Sequence, residues 1–352
     1  MHASTVAIDL AKEVFELAFA DDRGRVVERK RLSRRAFARA LEQRPPLRVL
    51  MEACGSAHYW ARRFQRLGHA VRLLPARDVR PYVRGNKTDR NDVAGILEAD
   101  RCGDIAGVPV KTPEQQGIQA LHRLREHLKA ERTATTNLLR GVLREFGVTI
   151  PAGALKVPAA VRDALEDGDN ELPMPLRYSL DDQLQRLAQL QADMAAIEQR
   201  LEEFADRDVA VQRYRRVPGV GLLTATALRA SAGDLSRFRN GRQFAAWLGL
   251  TPREHSSGQQ RRLGGLTKRG DVHLRTLLVH GARAVLTAAR LKQRRGQPLD
   301  PLQAWALKVQ DARGHNKAAC ALANKLARRL WAMEHHGQAF DPRHVSQRPG
   351  AH

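Results

Sequence analysis

The tripeptide Asp22-Arg23-Gly24 is a turn signal between two strand-like segments in the first hundred residues, and this constrains the fold more than any other feature. VFELAFAD (Val14 to Asp21) alternates apolar and polar residues as a strand does, and a further strand is expected from about Val26 to Leu32. Ahead of them STVAIDLA closes an apolar run at Asp9, which predicts a first strand. Ser33 then predicts the cap of a short helix reaching about Leu41. RVLMEACG predicts a fourth short strand with Glu52 at its end, followed by a helix over 58–67 and a strand over 70–74. Beyond KTDRNDV (Lys87 to Val93), the spacing of Val93, Ile96 and Leu97 predicts a helix starting near Asp89 or Asn91. The first region is therefore α/β.

Three strands in sequence, then alternating helix and strand, is the order of an RNase H-like sheet. After Pro113 the character becomes helical, with Ile118, Leu121, Leu124 and Leu128 at helical spacing. Four prolines over 151–175 predict a connector. Leu180, Leu187, Met194 and Leu201 then fall seven apart, with Leu190, Ile197 and Phe204 in the second seam position. This heptad pattern fits either a coiled-coil arm joining two subunits or one long helix packed inside its own. The expected organisation is an α/β domain over 1–112, a helical and coiled-coil linker over 113–210, a mainly α domain over 211–334 and a disordered tail over 335–352.

Charge narrows the class of function. Lys and Arg number 60 against 38 Asp and Glu, a formal net charge of +22. Such an excess suits a polyanionic partner, because each cation placed beside a phosphate releases a condensed counterion. No apolar run approaches the length needed to span a bilayer, and no signal-peptide pattern opens the sequence. The three cysteines (Cys54, Cys102, Cys320) form no CxxC pair, so no disulfide framework or structural zinc site is expected. A reducing, cytoplasmic setting follows.

Against this basic background the carboxylates stand out. Asp9 and Glu52 end strands, where open α/β sheets gather their chemistry. Asp89 and Asp92, at i and i+3, share one helix face and point at one place. Two readings are open for this pair: plain ion pairing with Lys87 and Arg90, or a metal site. Four converging carboxylates repel unless cations neutralise them, and Mg2+ takes hard oxygen ligands while leaving room for phosphate oxygens. Two such ions about 4 Å apart can activate a nucleophile and stabilise a leaving oxygen.

Two further motifs lie in the last third. In VPGVGLLTATAL (Val217 to Leu228), Gly219 and Gly221 allow a tight turn before a helix. That would present N–H groups to a DNA backbone as in helix-hairpin-helix motifs, although the same residues serve as a plain turn. From Arg253 to Arg295 there are 11 Lys or Arg and 2 acids, around a Ser256-Ser257-Gly258 loop. A serine among arginines is a candidate nucleophile toward phosphorus, or a simple phosphate contact. Arg261, Arg262, Lys268 and Arg269 are the candidate nucleic-acid contacts.

AIDLAK, MEACG, KTDRNDV, VPGVGLLTA, the SSG loop and GGLTKRGDVHLR, in this order, resemble the DEDD transposases of bacterial insertion sequences, the RNA-guided serine recombinases. The resemblance spans nearly the whole chain. It implies a RuvC-like domain in which Asp9, Glu52, Asp89 and Asp92 hold magnesium. It implies Ser257, the serine before glycine, as nucleophile, with Ser256 its rival by one alignment position. It also implies donor and target DNA, a non-coding guide RNA, and a homo-oligomer (dimer or tetramer) that joins the serine of one subunit to the carboxylates of another. Other readings are a site-specific invertase, a carboxylate-only metal nuclease, or a scaffold that binds nucleic acid without cutting it.

Overall fold

The computed structural model describes residues 3–86, 88–258 and 260–343. The chain forms two compact units, one ending at Pro113 and the other starting at Glu114.

The first unit is built on a five-stranded sheet in the order β3-β2-β1-β4-β5. Its strands are β1 (Thr5–Asp9), β2 (Val14–Ala20), β3 (Val26–Ser33), β4 (Arg48–Glu52) and β5 (Ala70–Leu74). β1, β2 and β3 pair antiparallel, while β4 lies parallel to both β1 and β5. The turn at Asp21 to Arg25 forms because the Asp21 carboxylate accepts from the backbone N–H groups of Arg23 and Arg25.

The strands alternate between two cores, and this fixes what faces what. On one side Val6, Ile8, Phe15, Leu17, Phe19, Val49 and Met51 pack against α1 (Arg34–Arg39) and α2 (Ala57–Arg66). Phe37 of α1 stacks on Phe15 at 4.1 Å and meets Trp60 of α2 edge-on. On the other side Ala7, Ala18, Leu50 and Leu74 pack against α3 (Ala76–Val79) and α4 (Asp89–Arg101) through Val79, Val93, Ile96 and Ala99. Ser33 caps α1, as expected. α4 is capped by Thr88, whose hydroxyl accepts from Asn91 N–H, one residue ahead of the expected start.

The second unit is helical apart from one hairpin. Its elements are α5 (Pro113–Glu145), α6 (Val157–Glu166), α7 (Met174–Arg207), α8 (Val209–Arg215), α9 (Leu222–Ala232) and α10 (Gly241–Trp247), then the strands β6 (Pro252–Glu254) and β7 (Leu263–Leu266). α11 (Val272–Arg294), α12 (Pro301–Arg313) and α13 (His315–His335) complete it.

The proline-rich connector is a correction, since it contains α6, whose Val157, Val161 and Ala164 are buried. Pro158 falls in the first turn of that helix, where no N–H is needed, and so opens the helix rather than breaking it. The heptad seam of α7 also needs correcting as an arm for a partner. Leu180, Leu184 and Leu187 pack on Leu139 and Leu143 of α5 and on α6, while Ile197 and Leu201 pack on Ile118 of α5 and Ala230 of α9. Arg125–Glu198 and Arg186–Glu131 ion pairs tie α5 to α7. The seam is thus filled from within the chain. A second apolar core joins α8 through α13. Of the expected tail over 335–352, His335 still belongs to α13, and residues 344–352 lie outside the described residues. Among the described residues no helix is long and apolar enough to cross a membrane.

Candidate active site

The placement of the carboxylates follows from register. β1 pairs with β4 as Thr5 to Arg48 through Ile8 to Met51, and the next step sets Asp9 beside Glu52. Ala7 and Leu50 face α4, so by the two-residue alternation Asp9 and Glu52 face it too. At the other end of β4, Arg48 donates to the buried Asp100 of α4 at 2.7 Å, and Arg72 of β5 also bonds Asp100. Because this anchors the C-terminal end of α4 at the N-terminal end of β4, the helix runs back along the strand. From Asp100 to Asp92 it travels about 12 Å at 1.5 Å per residue. From Arg48 to Glu52 the strand travels about 13 Å. That course carries Asp92 and Asp89, in the first turn of α4, toward the end of the sheet where β1 and β4 finish.

The electrostatics agree with this geometry. Burial, then the charges of Glu52 and Asp9, push the Cys54 thiol above its ordinary value. Both carboxylates thus act on one point past the end of β4. Asp89 and Asp92 also sit in the first turn of α4, where the helix dipole favours negative charge. Among the described residues no three acids already stand close enough together to share a metal ion. The donor set is nonetheless all carboxylate oxygen, the chemistry a magnesium ion takes.

One acid escaped sequence reasoning. Glu16 lies opposite Asp9 in the antiparallel register, on the α4 side of the sheet. It lines a cleft of about 450 Å³ together with Asp89, Thr88 and Arg90, and with Arg29 and Arg31 of β3. The signal was available: Glu16 breaks a face otherwise made of Val14, Ala18 and Ala20. Arg31 faces Glu16 and Arg29 faces Ala18 in the β2–β3 pairing, so two guanidinium groups flank the acids. Such an edge can attract phosphate beside the carboxylates.

Ser256 and Ser257 lie at the tip of the β6–β7 hairpin, a structure the sequence had shown only as a loop. The Ser257 and Gln260 backbones exchange hydrogen bonds of 3.3 and 3.2 Å across the turn, and Gly258 takes a positive φ of 56° there. Ser256 Oγ donates to the Glu254 carboxylate at 2.8 Å and accepts from Arg262 N–H at 3.1 Å. Arg261 pairs with the same carboxylate at 3.1 Å. The Ser256 hydrogen bond, then burial opposed by Arg261, leaves Glu254 below its ordinary value, which makes it a poor base. Ser257 is exposed, and no hydrogen bond of its hydroxyl occurs among the described residues.

The remaining candidates separate. Gly219 and Gly221 lie in the turn between α8 and α9. Gly219 has φ +83°, and a β-carbon there would come within 2.7 Å of the Gly281 carbonyl oxygen on α11. Glycine is required at 219 by packing, whatever the turn touches outside. Gly221 is exposed at the start of α9. Lys268 and Arg269 are exposed in the turn after β7, where Lys268 N–H donates to Gly249 carbonyl at 3.2 Å. Register thus sets Asp9 beside Glu52 at one sheet end, Asp89 and Asp92 share the first turn of α4, and the serines lie with Arg261 and Arg262 on one hairpin.

Comparison with known proteins adds two family matches. A DEDD family model described as "Transposase" matches residues 6–148, and one described as "Transposase IS116/IS110/IS902 family" matches residues 211–296. A "Probable family 20 transposase" of Pseudomonas aeruginosa is 43% identical over 95% of this chain and 97% of its own. The "Transposase for insertion sequence element IS1111A" of Coxiella burnetii is 38% identical over 93% of this chain and 88% of its own. The corresponding transposase of element IS1328 from Yersinia enterocolitica is 37% identical over 96% and 99%.

Proposed function

The chain belongs to the IS110/IS116/IS902 family of transposases and is a DNA transposase, and on that premise we propose that it cuts and rejoins DNA through Ser257, with Asp9, Glu52, Asp89 and Asp92 holding magnesium. What supports the reading is the Arg48–Asp100 bond, since an α4 running antiparallel to β4 from that anchor would carry Asp89 and Asp92 toward the strand end that bears Asp9 and Glu52. A magnesium ion bound by these oxygens would draw off phosphate charge and favour ionisation of a reacting oxygen.

The serine step is balanced without an external energy source. Ser257 Oγ bonds to phosphorus as one P–O bond to deoxyribose breaks, and the serine proton ends on the departing oxygen as a free hydroxyl. The phosphoester is conserved in the protein–DNA link, so reversal onto another strand completes exchange. Arg253, Arg261 and Arg262 in and beside the hairpin supply cations for the extra charge on phosphorus. Ser256 suits a structural part, since both of its hydrogen bonds close the hairpin. The exposed Ser257 suits attack.

We further infer homo-oligomer formation, with the serine of one subunit serving the acids of another, and a non-coding guide RNA that selects the DNA. Because α5 occupies the α7 seam, assembly would use surfaces other than that seam. The net charge of +22 suits two nucleic-acid partners. The test is transposition of a marked element in cells supplied with wild type, Asp89→Asn or Asp92→Asn, paired with DNA cutting by purified protein with and without EDTA. The reading expects no transposition by either variant and no cutting in EDTA. Undiminished transposition by both variants would remove the acids from the reaction.

A further inference from the structure

A groove of about 1560 Å³ runs along α13 within the second unit, larger than the 300–1,000 Å³ usual for small-molecule clefts. One wall is α13; the others are the start of α10, the flank of α12 and Gly264 to Leu266 of β7. The walls are held rigidly. A β-carbon on Gly241 of α10 would lie 3.1 Å from the Arg328 backbone, and Asn324 donates to the Leu250 carbonyl at 3.0 Å.

The lining mixes cations with flat rings. Arg242, Lys317, Lys325, Arg328 and Arg329 face a single acid, Asp341. Lys325 Nζ sits 4.1 Å from the centre of the Trp305 ring, and Arg329 lies 5.4 Å from that of Phe340. Burial, then the neighbouring Arg329 and Arg328 charges, lowers the Lys325 amine from its ordinary value. Arg242, Lys317 and Arg328 are exposed along the groove, where they can meet an anion laid in it.

We propose that this groove seats an unpaired nucleic-acid strand, with its phosphates on Arg242, Lys317 and Arg328 and a base against Trp305. A basic groove floored by recessed aromatics is the arrangement that binds single strands, because only unpaired bases present a face for stacking. A duplex keeps its bases stacked on one another and offers such rings nothing. An acidic peptide would satisfy the cations but brings no base to lie against Trp305, over which Lys325 sits. β7 supplies both a wall of the groove and one arm of the serine hairpin, so the inference deepens the proposed function and rests on it for the strand's relation to the cutting site.

The experiment measures fluorescence anisotropy of labelled oligothymidine, oligouridine and a blunt DNA duplex with the full-length protein in EDTA. Trp305→Leu should weaken single-strand binding by about tenfold while leaving the duplex unaffected, and Trp305→Phe should restore most of the loss. Arg328→Glu should flatten the salt dependence of single-strand binding. A larger loss on oligothymidine assigns the groove to DNA, and a larger loss on oligouridine to RNA. Unchanged single-strand affinity in Trp305→Leu and Arg328→Glu, or equal losses on duplex, would overturn the proposal. Covalent adduct formation by wild type is measured separately, so failure of the serine mechanism and failure of the groove give different results.

Discussion

Arg48, at the start of β4, donates to the carboxylate of Asp100, near the end of α4, at 2.7 Å. Asp100 is buried and serves Arg72 of β5 as well, so one acid locks α4 to two strands. The bond lies far from Asp92 but fixes where the C-terminal end of α4 sits on the sheet, and so the course on which Asp92 is carried. Asp100→Ala should lower stability by about 2 kcal/mol, less than for a fully buried pair because both arginines keep solvent contact. It should also depress DNA cutting beyond what stability explains. Urea unfolding and a cutting assay well below the melting temperature separate the two effects.

Gly281 tests the packing of the α8–α9 turn. A β-carbon there would lie 1.8 Å from the Gly219 carbonyl oxygen, a backbone atom that cannot rotate away. Gly281→Ala should therefore cost about 3 kcal/mol or more, the upper range for overpacking. Gly221→Ala, which meets nothing within 4 Å, should leave stability nearly unchanged. Thermal unfolding of both variants checks the contrast. A loss of DNA binding in Gly221→Ala at full stability would place the turn on the DNA backbone.

His122 predicts an acid sensitivity. It is buried in α5 with Nε2 3.0 Å from Thr226 Oγ1, which itself donates to the Leu222 carbonyl, so the imidazole is the donor in that bond. Burial, then the charges of His273 and Arg125, lowers its pKa from 6.5 to about 4. Below pH 6.5 the unfolded chain takes up the proton first, so stability falls as pH falls, and the loss ends once the folded form also protonates near pH 4. The slope from this group is about 1.4 kcal/mol per pH unit at most. His122→Gln should flatten the stability profile between pH 6.5 and 4 in urea titrations.

Ser256 should matter for shape rather than chemistry. Ser256→Ala removes a donor to Glu254 and an acceptor for Arg262 N–H. The looser hairpin should slow the reaction roughly tenfold. Residual, slowed recombination by Ser256→Ala is the expected result, read from initial rates on one DNA substrate.

Much of the first unit was legible because its strands are short apolar runs, two of which end on acids. Asp9 and Glu52 close apolar runs, and Asp89 with Asp92 share a helix face, so their types and spacings pointed to one place. What the sequence did not display was the course of α4 over the sheet. Asp100 reads as one more acid on a basic helix end, and only its pairing with Arg48 and Arg72 gives α4 its direction. Glu16 was missed because an acid in an alternating strand looks like a solvated face until the register with Asp9 is known.

The second unit was harder. A heptad seam specifies that a helix has a partner, not which chain supplies it, and here α5 does. The prolines of 151–175 looked like breaks because a proline's effect depends on whether it falls in the first turn of a helix. The β6–β7 hairpin carries too many glycines and charges for an alternating pattern to show. The doubled serine stayed ambiguous in sequence, and the contacts of Ser256 supply the asymmetry.

The most direct measurement is a denaturing gel that detects covalent protein–DNA adduct. Wild type, Ser257→Ala and Asp92→Asn would each be incubated in magnesium with DNA carrying the element's own ends and its flanking transcript. The account predicts an adduct with wild type and none with either variant. Metal-dependent cutting by wild type with no adduct would contradict it, and would make water or a DNA hydroxyl the nucleophile.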